Sequence, residues 1–376
     1  MPAARGGRSF AIVFMPTLAC DCVCDYCFDA EGATSVHRPD WSRRFAEIRA
    51  LAEALGVAEL LLHWQGGEVM LLGSTEIRLG LGIAKRVFEG APFRVEHRLQ
   101  TNLLSYDREW APLIREHFGG RLGSSFDWPN RHRSRRGGTL ADFADRWKGR
   151  FDAARADGID VGVIALPNDA SIEAGAESFY NWYKNAGVLR LQVNLPFPGR
   201  GGASAFPAKV DFELYADFME ELFDVWLSDD RAMELSPFAQ ILDRVSGRPA
   251  SLPCVWSEDC TKLLLAIGPE GETAQCDCWL AGRTLPRFGN IAELGAETIL
   301  ASGSRSGLAG RSARLLESSR CGLCRHWGLC HGGCPVRALS FEGNVDVPDP
   351  WCPVYLRIFD KALACARGET YQLLLQ

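Results

Sequence analysis

The strongest constraint on the fold is a regular alternation of apolar and amphipathic segments between residues 9 and 195. Each apolar segment has six to eight residues, as buried strands do, and a segment with helical periodicity follows it. Strands are predicted at 9–15, 58–64, 94–100, 121–126, 159–166 and 188–195. Helices are predicted at 41–55, 74–88, 107–118, 139–157 and 171–186. Such an alternation predicts an α/β protein with a parallel sheet, either open or closed into a barrel.

The alternation stops at a glycine- and proline-rich segment, 196–209. One more amphipathic helix is predicted at about 211–228, and after Pro253 the hydrophobic pattern loses its periodicity while cysteines become frequent. We therefore expect a domain boundary between about 230 and 250, which divides the chain into residues 1–235 and 236–376.

Composition excludes several classes of partner. The 376 residues are 47% hydrophobic and carry a net charge of -6, so neither nucleic acid nor an anionic membrane is expected as a partner. No apolar run has the length of a membrane span. The apolar run before Cys20 is short and is interrupted by Pro16, so we expect a cytoplasmic protein without a secretion signal.

Polar motifs follow the predicted strands where each strand ends. The first strand leads to Cys20–Cys27, the second to the segment QGGE at 65–68 and the third to QTN at 100–102, while Ser125, Asp127 and Asn194 end later strands. Carboxyl ends of parallel strands meet at one edge, where ligands bind in such folds. Each motif also has a simpler explanation: a strand–helix turn for QGGE, a helix N-cap for QTN and turn chemistry for Asp127.

The cysteines indicate metal binding rather than disulfides. The chain has 14 of them, with none between Cys27 and Cys254. Disulfide-rich domains are small and spread their bridges, whereas two tight clusters are typical of metal sites in a reducing compartment. Structural zinc sites with four cysteines remain the alternative on spacing alone.

The spacing Cys20-x-x-x-Cys24-x-x-Cys27, with Tyr26 and Phe28 around the last cysteine, resembles the radical S-adenosylmethionine (SAM) superfamily. The resemblance implies a partial (β/α)6 TIM-like barrel in residues 1–235. It also implies that the three thiolates hold a [4Fe–4S] cluster whose open iron binds SAM, which is cleaved reductively to a 5′-deoxyadenosyl radical. Cys22 is off this pattern and is expected to be a bystander in the loop.

The resemblance also implies a set of SAM contacts. Gly66, Gly67 and Glu68 correspond to the segment that meets the methionine end of SAM, where exposed N–H groups can pair a carboxylate. An arginine is expected to pair the SAM carboxylate; Arg133 is our choice, with Arg131, Arg135 and Arg136 as competitors. The other predicted contacts are Tyr26, Asn102, Ser125, Asp127, Asn194 and Leu195.

The second half of the chain resembles the SPASM domain, which carries auxiliary clusters. By that resemblance one auxiliary [4Fe–4S] cluster is held by Cys254, Cys260, Cys276 and Cys334, and the other by Cys321, Cys324, Cys330 and Cys352. Three clusters are therefore expected in all. Cys365 is expected in the core of a final helix, and Cys278 is either spare or catalytic.

Two residues resemble those of anaerobic sulfatase-maturating enzymes: Gln65 before the GGE segment, and Asp277 in the position of their catalytic base. Asp29, Val69 and Trp128 depart from that pattern. We expect oxidation or cross-linking of a peptide side chain, as in ribosomal-peptide maturation, with a flavodoxin or ferredoxin as electron donor. The absence of a peptide-binding domain before the first strand keeps an alternative open, a dehydrogenase or epimerase of a small molecule such as an aminosugar. A non-enzymatic metal-binding scaffold is a more remote alternative.

Overall fold

The computed structural model describes residues 8–27, 35–197, 211–229, 231–281 and 286–368; Phe28 and Asp29 lie outside these ranges. The strands are β1 (Ser9–Phe14), β2 (Cys22–Cys24), β3 (Glu59–Trp64), β4 (Arg94–Leu99), β5 (Arg121–Ser125), β6 (Arg133–Arg135), β7 (Asp160–Ala165), β8 (Arg190–Val193), β9 (Glu234–Ser236), β10 (Leu264–Ile267), β11 (Glu272–Ala274) and β12 (Gly289–Asn290).

The helices of the first half are α1 (Trp41–Ala54), α2 (Ser74–Val87), α3 (Trp110–His117), α4 (Leu140–Ala156), α5 (Asp169–Ala174), α6 (Ala176–Asn185) and α7 (Phe212–Ser228). The later helices are α8 (Phe238–Val245), α9 (Asp277–Ala281), α10 (Ile291–Leu300), α11 (Gly303–Ala309), α12 (Arg311–Ser318), α13 (Trp327–Cys330), α14 (Pro335–Glu342) and α15 (Cys352–Ala366). Short 3₁₀ turns lie at Val69–Leu72, Cys254–Trp256, Cys260–Lys262 and Arg320–Leu323.

The six predicted strands and the helices between them are all present, with one difference. The helix predicted at 171–186 is divided at Gly175, which has a φ of 83° and separates α5 from α6. Asn168 accepts from the Ser171 N–H and begins α5 with a capping box, so this turn starts earlier than its hydrophobic periodicity indicates.

The chain divides into two compact units that each take segments from both halves of the sequence. One unit contains 1–124, 134–161 and 259–309, and the other contains 125–133, 162–258 and 310–376. The boundary predicted near residue 235 separates the two groups of sequence motifs, whereas the compact units are discontinuous in sequence. The predicted boundary stays a prediction.

In the first unit, β1 lies between β10 and β3, and β4 follows β3, all in parallel. β11 and β12 extend the sheet beyond β10 in antiparallel orientation. Phe14 at the end of β1 is opposite both Trp64 and Ile267. The sequence did not predict β10, because its four residues are too short to establish a period.

An aromatic cluster fixes the helices of this unit on the sheet. Phe14 makes edge contacts with Trp41, Phe45 and Trp64 at ring-centroid distances of 6.1, 5.6 and 5.4 Å. Trp41 is the first residue of α1, and Gly80 of α2 lies so close that a Cβ there would be 3.0 Å from its ring. The cluster therefore sits beneath the end of β1, directly before the segment that carries the first cysteines.

In the second unit, β8 pairs in parallel with β7 and with β9. Leu191 in β8 is opposite Val163 and Leu235, and all three are buried. Trp351, fully buried before α15, contacts the ring of Tyr215 on α7 at 4.8 Å and donates from Nε1 to the carbonyl of Pro196 at 2.8 Å. The chain after β8 is thereby held against the segment that contains the last cysteines.

Candidate active site

The QGGE segment packs against the backbone that leads into the first cysteines. The N–H groups of Gly67 and Glu68 donate to the carbonyls of Thr17 and Ala19, at 3.0 and 2.7 Å. A Cβ at Gly66 would lie 2.3 Å from the Thr17 oxygen, and one at Gly67 would lie 2.3 Å from the Ala19 oxygen. The glycines are thus required by this close backbone approach. The N–H groups of Gly67 and Glu68 already have backbone acceptors, and the contact of this segment with SAM stays a prediction.

Glu68 joins the ends of β3 and β4. Its buried carboxylate accepts from the Thr101 hydroxyl at 2.6 Å, from the Asn102 N–H at 2.6 Å and from the Met70 N–H at 2.8 Å. Burial raises the pKa of Glu68 to about 7, although the three hydrogen bonds oppose this shift. Both carboxylate oxygens of Glu68 accept hydrogen bonds from the protein, so its observed role is to hold the ends of β3 and β4 together. A contact between Glu68 and SAM stays a prediction.

Asn102 reaches from the end of β4 to the cysteine loop. Its Nδ2 donates to Asp21 Oδ1 at 2.9 Å and to Cys22 Sγ at 3.2 Å. It is no N-cap of α3, because that helix begins at Trp110 with Glu109 as the capping position. The simpler explanation of QTN is therefore wrong.

Cys22 lies in the loop of the predicted cluster ligands, and the expectation that it is a bystander there stays a prediction. It is buried, and the donor atoms of Cys20, Asp21 and Cys22 lie within 4.8 Å of one another. Hydrogen bonding from Cys22 lowers the pKa of the Cys20 thiol, which favours the thiolate that a metal requires. The Cys27 N–H donates to the Cys24 carbonyl at 3.0 Å, which closes a turn between the other two predicted ligands. The triad as cluster ligands stays a prediction.

One of the competing arginines holds this loop. Arg136 donates from Nε to the Cys20 carbonyl at 3.0 Å, and its backbone N–H donates to the Asp21 carbonyl at 2.9 Å. Ser134 adds a hydroxyl contact to the Val23 carbonyl at 3.3 Å. Arg136 therefore supports the backbone of the predicted cluster loop.

The structure brings the two predicted catalytic residues together. Gln65 Nε2 donates to Asp277 Oδ2 at 2.7 Å, although 212 residues separate them. The donor atoms of Cys276, Asp277 and Cys278 lie within 4.8 Å of one another. Burial raises the pKa of Asp277, while hydrogen bonds from the Cys278 N–H and from Gln65 oppose that shift. A carboxylate with a raised pKa, fixed beside a predicted cluster ligand, can accept a proton where an electron leaves.

The predicted quartet of Cys254, Cys260, Cys276 and Cys334 is divided between the two units. In the first unit, buried Gln275 donates to the carbonyls of Cys260 and Leu264 at 2.8 and 2.9 Å and so positions one ligand beside β10. In the second unit, His331 Nδ1 lies 2.9 Å from the carbonyl of Trp256, next to the turn that begins at Cys254. The quartet as one cluster site stays a prediction.

In the second unit, Asp127 and Arg133 form a buried ion pair at 2.6 Å. The Leu166 N–H also donates to Asp127, at 2.8 Å. The guanidinium of Arg133 thus already donates to an internal carboxylate. The same ion pair fixes the loop that follows Ser125. The SAM contacts of Ser125, Asp127 and Arg133 stay predictions.

Trp128, which departs from the sulfatase-maturating pattern, is held rigidly in this loop. Its ring stacks on Trp182 at 6.0 Å, its N–H donates to Tyr183 at 3.0 Å, and its carbonyl accepts from Ser171 at 2.6 Å.

At the end of β8, the Asn194 side chain accepts from Gln192 at 2.9 Å.

The second predicted quartet does meet. Cys321, Cys324, Cys330 and Cys352 line one cavity in the second unit, together with Trp327, Tyr355 and Leu356. Burial raises the pKa of the Cys330 and Cys352 thiols, so their thiolates need a bound cation or cluster to be stable. Four thiols around one cavity fit a cluster held by four cysteines, as the resemblance to the SPASM domain implies.

Two buried side chains that the sequence did not single out shape the loop of these cysteines. Arg311 donates to the carbonyls of Gly333 and Val347 at 2.8 Å, and also to those of Gly332 and Val345. Asp349 accepts from the Cys334 N–H at 2.8 Å and from the Tyr355 hydroxyl at 3.0 Å. No spacing marks them, because each acts on residues that are distant in sequence.

Comparison with known proteins gives a consistent set of relatives. No protein-family model matches this chain. Over 384 residues it is 26% identical to a serine-type anaerobic sulfatase-maturating enzyme of Klebsiella aerogenes, covering 98% of this chain and 89% of the relative. Native anSMEcpe, solved with bound AdoMet, matches with a TM-score of 0.79 at 18% identity, covering 97% of this chain and 100% of that one. Streptococcus suis SuiB, solved with the precursor peptide SuiA, matches with a TM-score of 0.62 at 15% identity, covering 92% of this chain and 76% of its own.

These matches confirm the predicted resemblance. The chain has the predicted α/β fold and shares it with the solved anSMEcpe and SuiB structures. The predicted resemblance to sulfatase-maturating enzymes extends over nearly the whole chain, at 26% identity over 98% of its residues.

Proposed function

We propose that this enzyme oxidises a side chain of a peptide by abstracting a hydrogen atom and then removing one proton and one electron. The observation that carries the proposal is the hydrogen bond of 2.7 Å between Gln65 and Asp277, which places a half-buried carboxylate beside Cys276. The Klebsiella relative is named for sulfatase maturation and SuiB was solved with a precursor peptide, which supports a peptide as the substrate here.

In this proposal Asp277 is the base that accepts the proton of the oxidised carbon or hydroxyl. Burial raises its pKa, which makes the carboxylate a stronger base, and Gln65 fixes the orientation of one of its oxygens. The abstracted hydrogen atom, the proton on Asp277 and one electron together account for a two-electron oxidation. A cluster held at Cys276 would supply a one-electron acceptor next to the base.

The cofactors follow from the same assignment. Cys20, Cys24 and Cys27 would hold the cluster that binds SAM, whose reductive cleavage supplies the 5′-deoxyadenosyl radical. Two auxiliary [4Fe–4S] clusters, at the two cysteine quartets named above, bring the proposed number of clusters to three. The four cysteines around one cavity support one of the two auxiliary sites.

The proposed partners are a peptide substrate and a flavodoxin or ferredoxin as electron donor. No helix in the described part of the chain combines the length and the apolar character that a membrane span needs. We place the enzyme in the cytoplasm, because 14 cysteines without disulfides among the described residues call for a reducing compartment.

The test is Asp277→Asn in the reconstituted enzyme, supplied with SAM, reductant and a serine-containing peptide. We expect 5′-deoxyadenosine to form at a rate similar to wild type, while the oxidised peptide, identified by mass as a loss of two hydrogen atoms, falls at least about 100-fold. The matched control is Asp152→Asn, since Asp152 pairs with Lys148 on the exposed side of α4 and should leave both products unchanged.

An unchanged yield of oxidised peptide in Asp277→Asn would remove this residue as the base. Turnover of a small alcohol or an aminosugar, with no reaction on any peptide, would replace the peptide proposal by the small-molecule alternative.

A further inference from the structure

A buried arginine lies between the end of β8 and the wall of the four-cysteine cavity in the second unit. Arg337 on α14 is 4% exposed. Its guanidinium donates to the carbonyl of Leu195 at 2.6 Å and to the hydroxyl of Tyr355 at 2.7 Å. The ring of Phe197 covers it, with a distance of 5.2 Å from Cζ to the ring centroid. The cation is therefore fixed in place and shielded from water, and an arginine keeps its charge even when buried.

The counter-charge of Arg337 is Asp349, which is 1% exposed. The shortest distance between the guanidinium and the carboxylate is 4.0 Å, longer than a direct hydrogen bond. Asp349 accepts from the N–H groups of Cys334 and Trp351, at 2.8 and 3.0 Å, and from Tyr355. All of these contacts bring donors to the carboxylate, which acts as an acceptor throughout, the role of an ionised group.

Tyr355 connects this pair to the cavity. Its side chain lines the cavity together with Cys321, Cys324, Cys330 and Cys352, while its hydroxyl accepts from Arg337 and donates to Asp349 at 3.0 Å. The cation of Arg337 and the anion of Asp349 are thus both hydrogen-bonded to one residue that lines the cavity. Water cannot screen either charge, so each acts on the cavity more strongly than a surface charge would.

We infer that Arg337 and Asp349 are a positioning pair that sets the reduction potential of the iron–sulfur cluster held by Cys321, Cys324, Cys330 and Cys352. A cluster with four thiolates becomes more negative when it gains an electron, and its potential follows the charges and hydrogen bonds around it. A fixed cation stabilises the reduced state and raises the potential, and a fixed anion lowers it. The pair would hold the potential in the range in which the cluster can accept the electron released in the oxidation.

This inference rests on the proposed function for its purpose, but its measurement needs neither SAM nor peptide. The full-length chain is reconstituted anaerobically with Cys20, Cys24 and Cys27 replaced by Ala, so that the signal of that cluster is absent. Redox titration followed by electron paramagnetic resonance then gives the remaining potentials. The signal that disappears with Cys324→Ser belongs to the cavity.

We expect Arg337→Met to move the midpoint potential of that signal to a more negative value and Asp349→Asn to move it to a more positive value. Arg337→Lys keeps the charge and should stay close to wild type. Arg325→Met is the matched control, because Arg325 follows the ligand Cys324 but is 75% exposed and screened by water.

Opposite shifts in Arg337→Met and Asp349→Asn support the inference, because a loss of packing alone gives no reason for opposite signs. Shifts in the same direction, or no shift in either variant, would overturn it. Thermal unfolding will show whether Arg337→Met folds. If it does not, a positive shift of the midpoint potential in Asp349→Asn together with an unshifted potential in Arg337→Lys still supports the inference. An unshifted potential in Asp349→Asn overturns it. If these variants behave as expected while no peptide is oxidised, the proposed function fails, but the inference that the pair sets the potential of the cluster still holds.

Discussion

At the residue scale, one interatomic distance decides what Gly67 can be replaced by. A Cβ there would lie 2.3 Å from the carbonyl oxygen of Ala19, a backbone atom next to the predicted ligand Cys20. Gly67→Ala should therefore displace the loop and destabilise the protein by about 1–3 kcal/mol, the usual cost of overpacking. We expect a lower midpoint of thermal unfolding and loss of iron from the N-terminal site.

The matched control for this substitution is Gly149→Ala. Gly149 lies inside α4, and a Cβ at this position would have no atom within 4 Å, so alanine should be neutral or stabilising there. If Gly67→Ala were as stable and as rich in iron as Gly149→Ala, the close approach of the QGGE segment to the cysteine loop would be wrong.

A second prediction at this scale concerns the charge of Glu68. Its pKa is about 7 in the folded protein against an ordinary value of 4.5, so the folded state binds a proton that the unfolded chain has released. Ionised Glu68 therefore costs the fold about 3 kcal/mol above pH 7, and this cost disappears as the pH falls towards 4.5. Relative to Glu68→Gln, the wild type should gain thermal stability as the pH is lowered from about 7 to about 5.

The control for the pH series is Glu53→Gln, whose carboxylate is 41% exposed and pairs with Arg49 at the end of α1. The difference in unfolding midpoint between wild type and this control should not change with pH over the same window. A constant difference between wild type and Glu68→Gln would instead mean that Glu68 is ionised throughout.

How much of the site the sequence could predict differs from residue to residue. Gln65 and Asp277 were found through a resemblance of short motifs, and the structure places them 2.7 Å apart. The bond of Glu68 to Thr101 and the contacts of Asn102 were not foreseen, because a motif gives the residue type but not the partner. Gln275 and Arg311 were missed altogether, since both bind backbone carbonyls, which every residue has.

At the element scale, hydrophobic periodicity located the strands and helices of residues 9–195 to within a few residues. It failed where elements are short or contain little apolar sequence. β10 has four residues and pairs with β1, with Leu264 opposite Ala11, so its place is determined by tertiary contacts. The same limit applies to β2, which has three residues and contains two cysteines.

The helix α12 offers a prediction at this scale, because its first residue holds the loop of Gly332 and Gly333. Arg311→Met would leave several buried carbonyls without donors, each of which costs about 1–3 kcal/mol. We expect a clear fall in the unfolding midpoint together with loss of iron from the cavity that Gly332 lines. Iron per chain and a thermal scan on the same preparation measure both effects.

Arg314→Met on the same helix is the control. Arg314 pairs with Asp346 and is 40% exposed, so its loss should cost at most about 1 kcal/mol and no iron. Equal effects of the two substitutions would show that α12 is stabilised by charge in general and that the contacts of Arg311 to the loop carry no special weight.

At the scale of the whole molecule, the order of motifs along the chain differs from the way the chain is divided into compact units. Residues 259–309 belong to the unit of the N-terminal strands, and 162–258 belong to the unit that contains the last cysteines. A sequence read from one end to the other suggests consecutive domains, because local composition changes near residue 235. Which segments pack together depends on pairings such as β1 with β10, and no local pattern records these.

The count of clusters is the prediction that depends on the whole chain. Three sites of four irons each should give about twelve irons per chain after anaerobic reconstitution. Replacement of Cys20, Cys24 and Cys27 by Ala should leave about eight, and replacement of Cys321 and Cys324 in the cavity should likewise remove about four.

Cys365→Ala is the control, because Cys365 lies near the end of α15 and is not among the residues that line the cavity. Zinc in place of iron, or an iron content that the triple substitution leaves unchanged, would contradict the radical mechanism itself. A loss confined to the intended site would show that the two ends of the sequence bind their clusters independently.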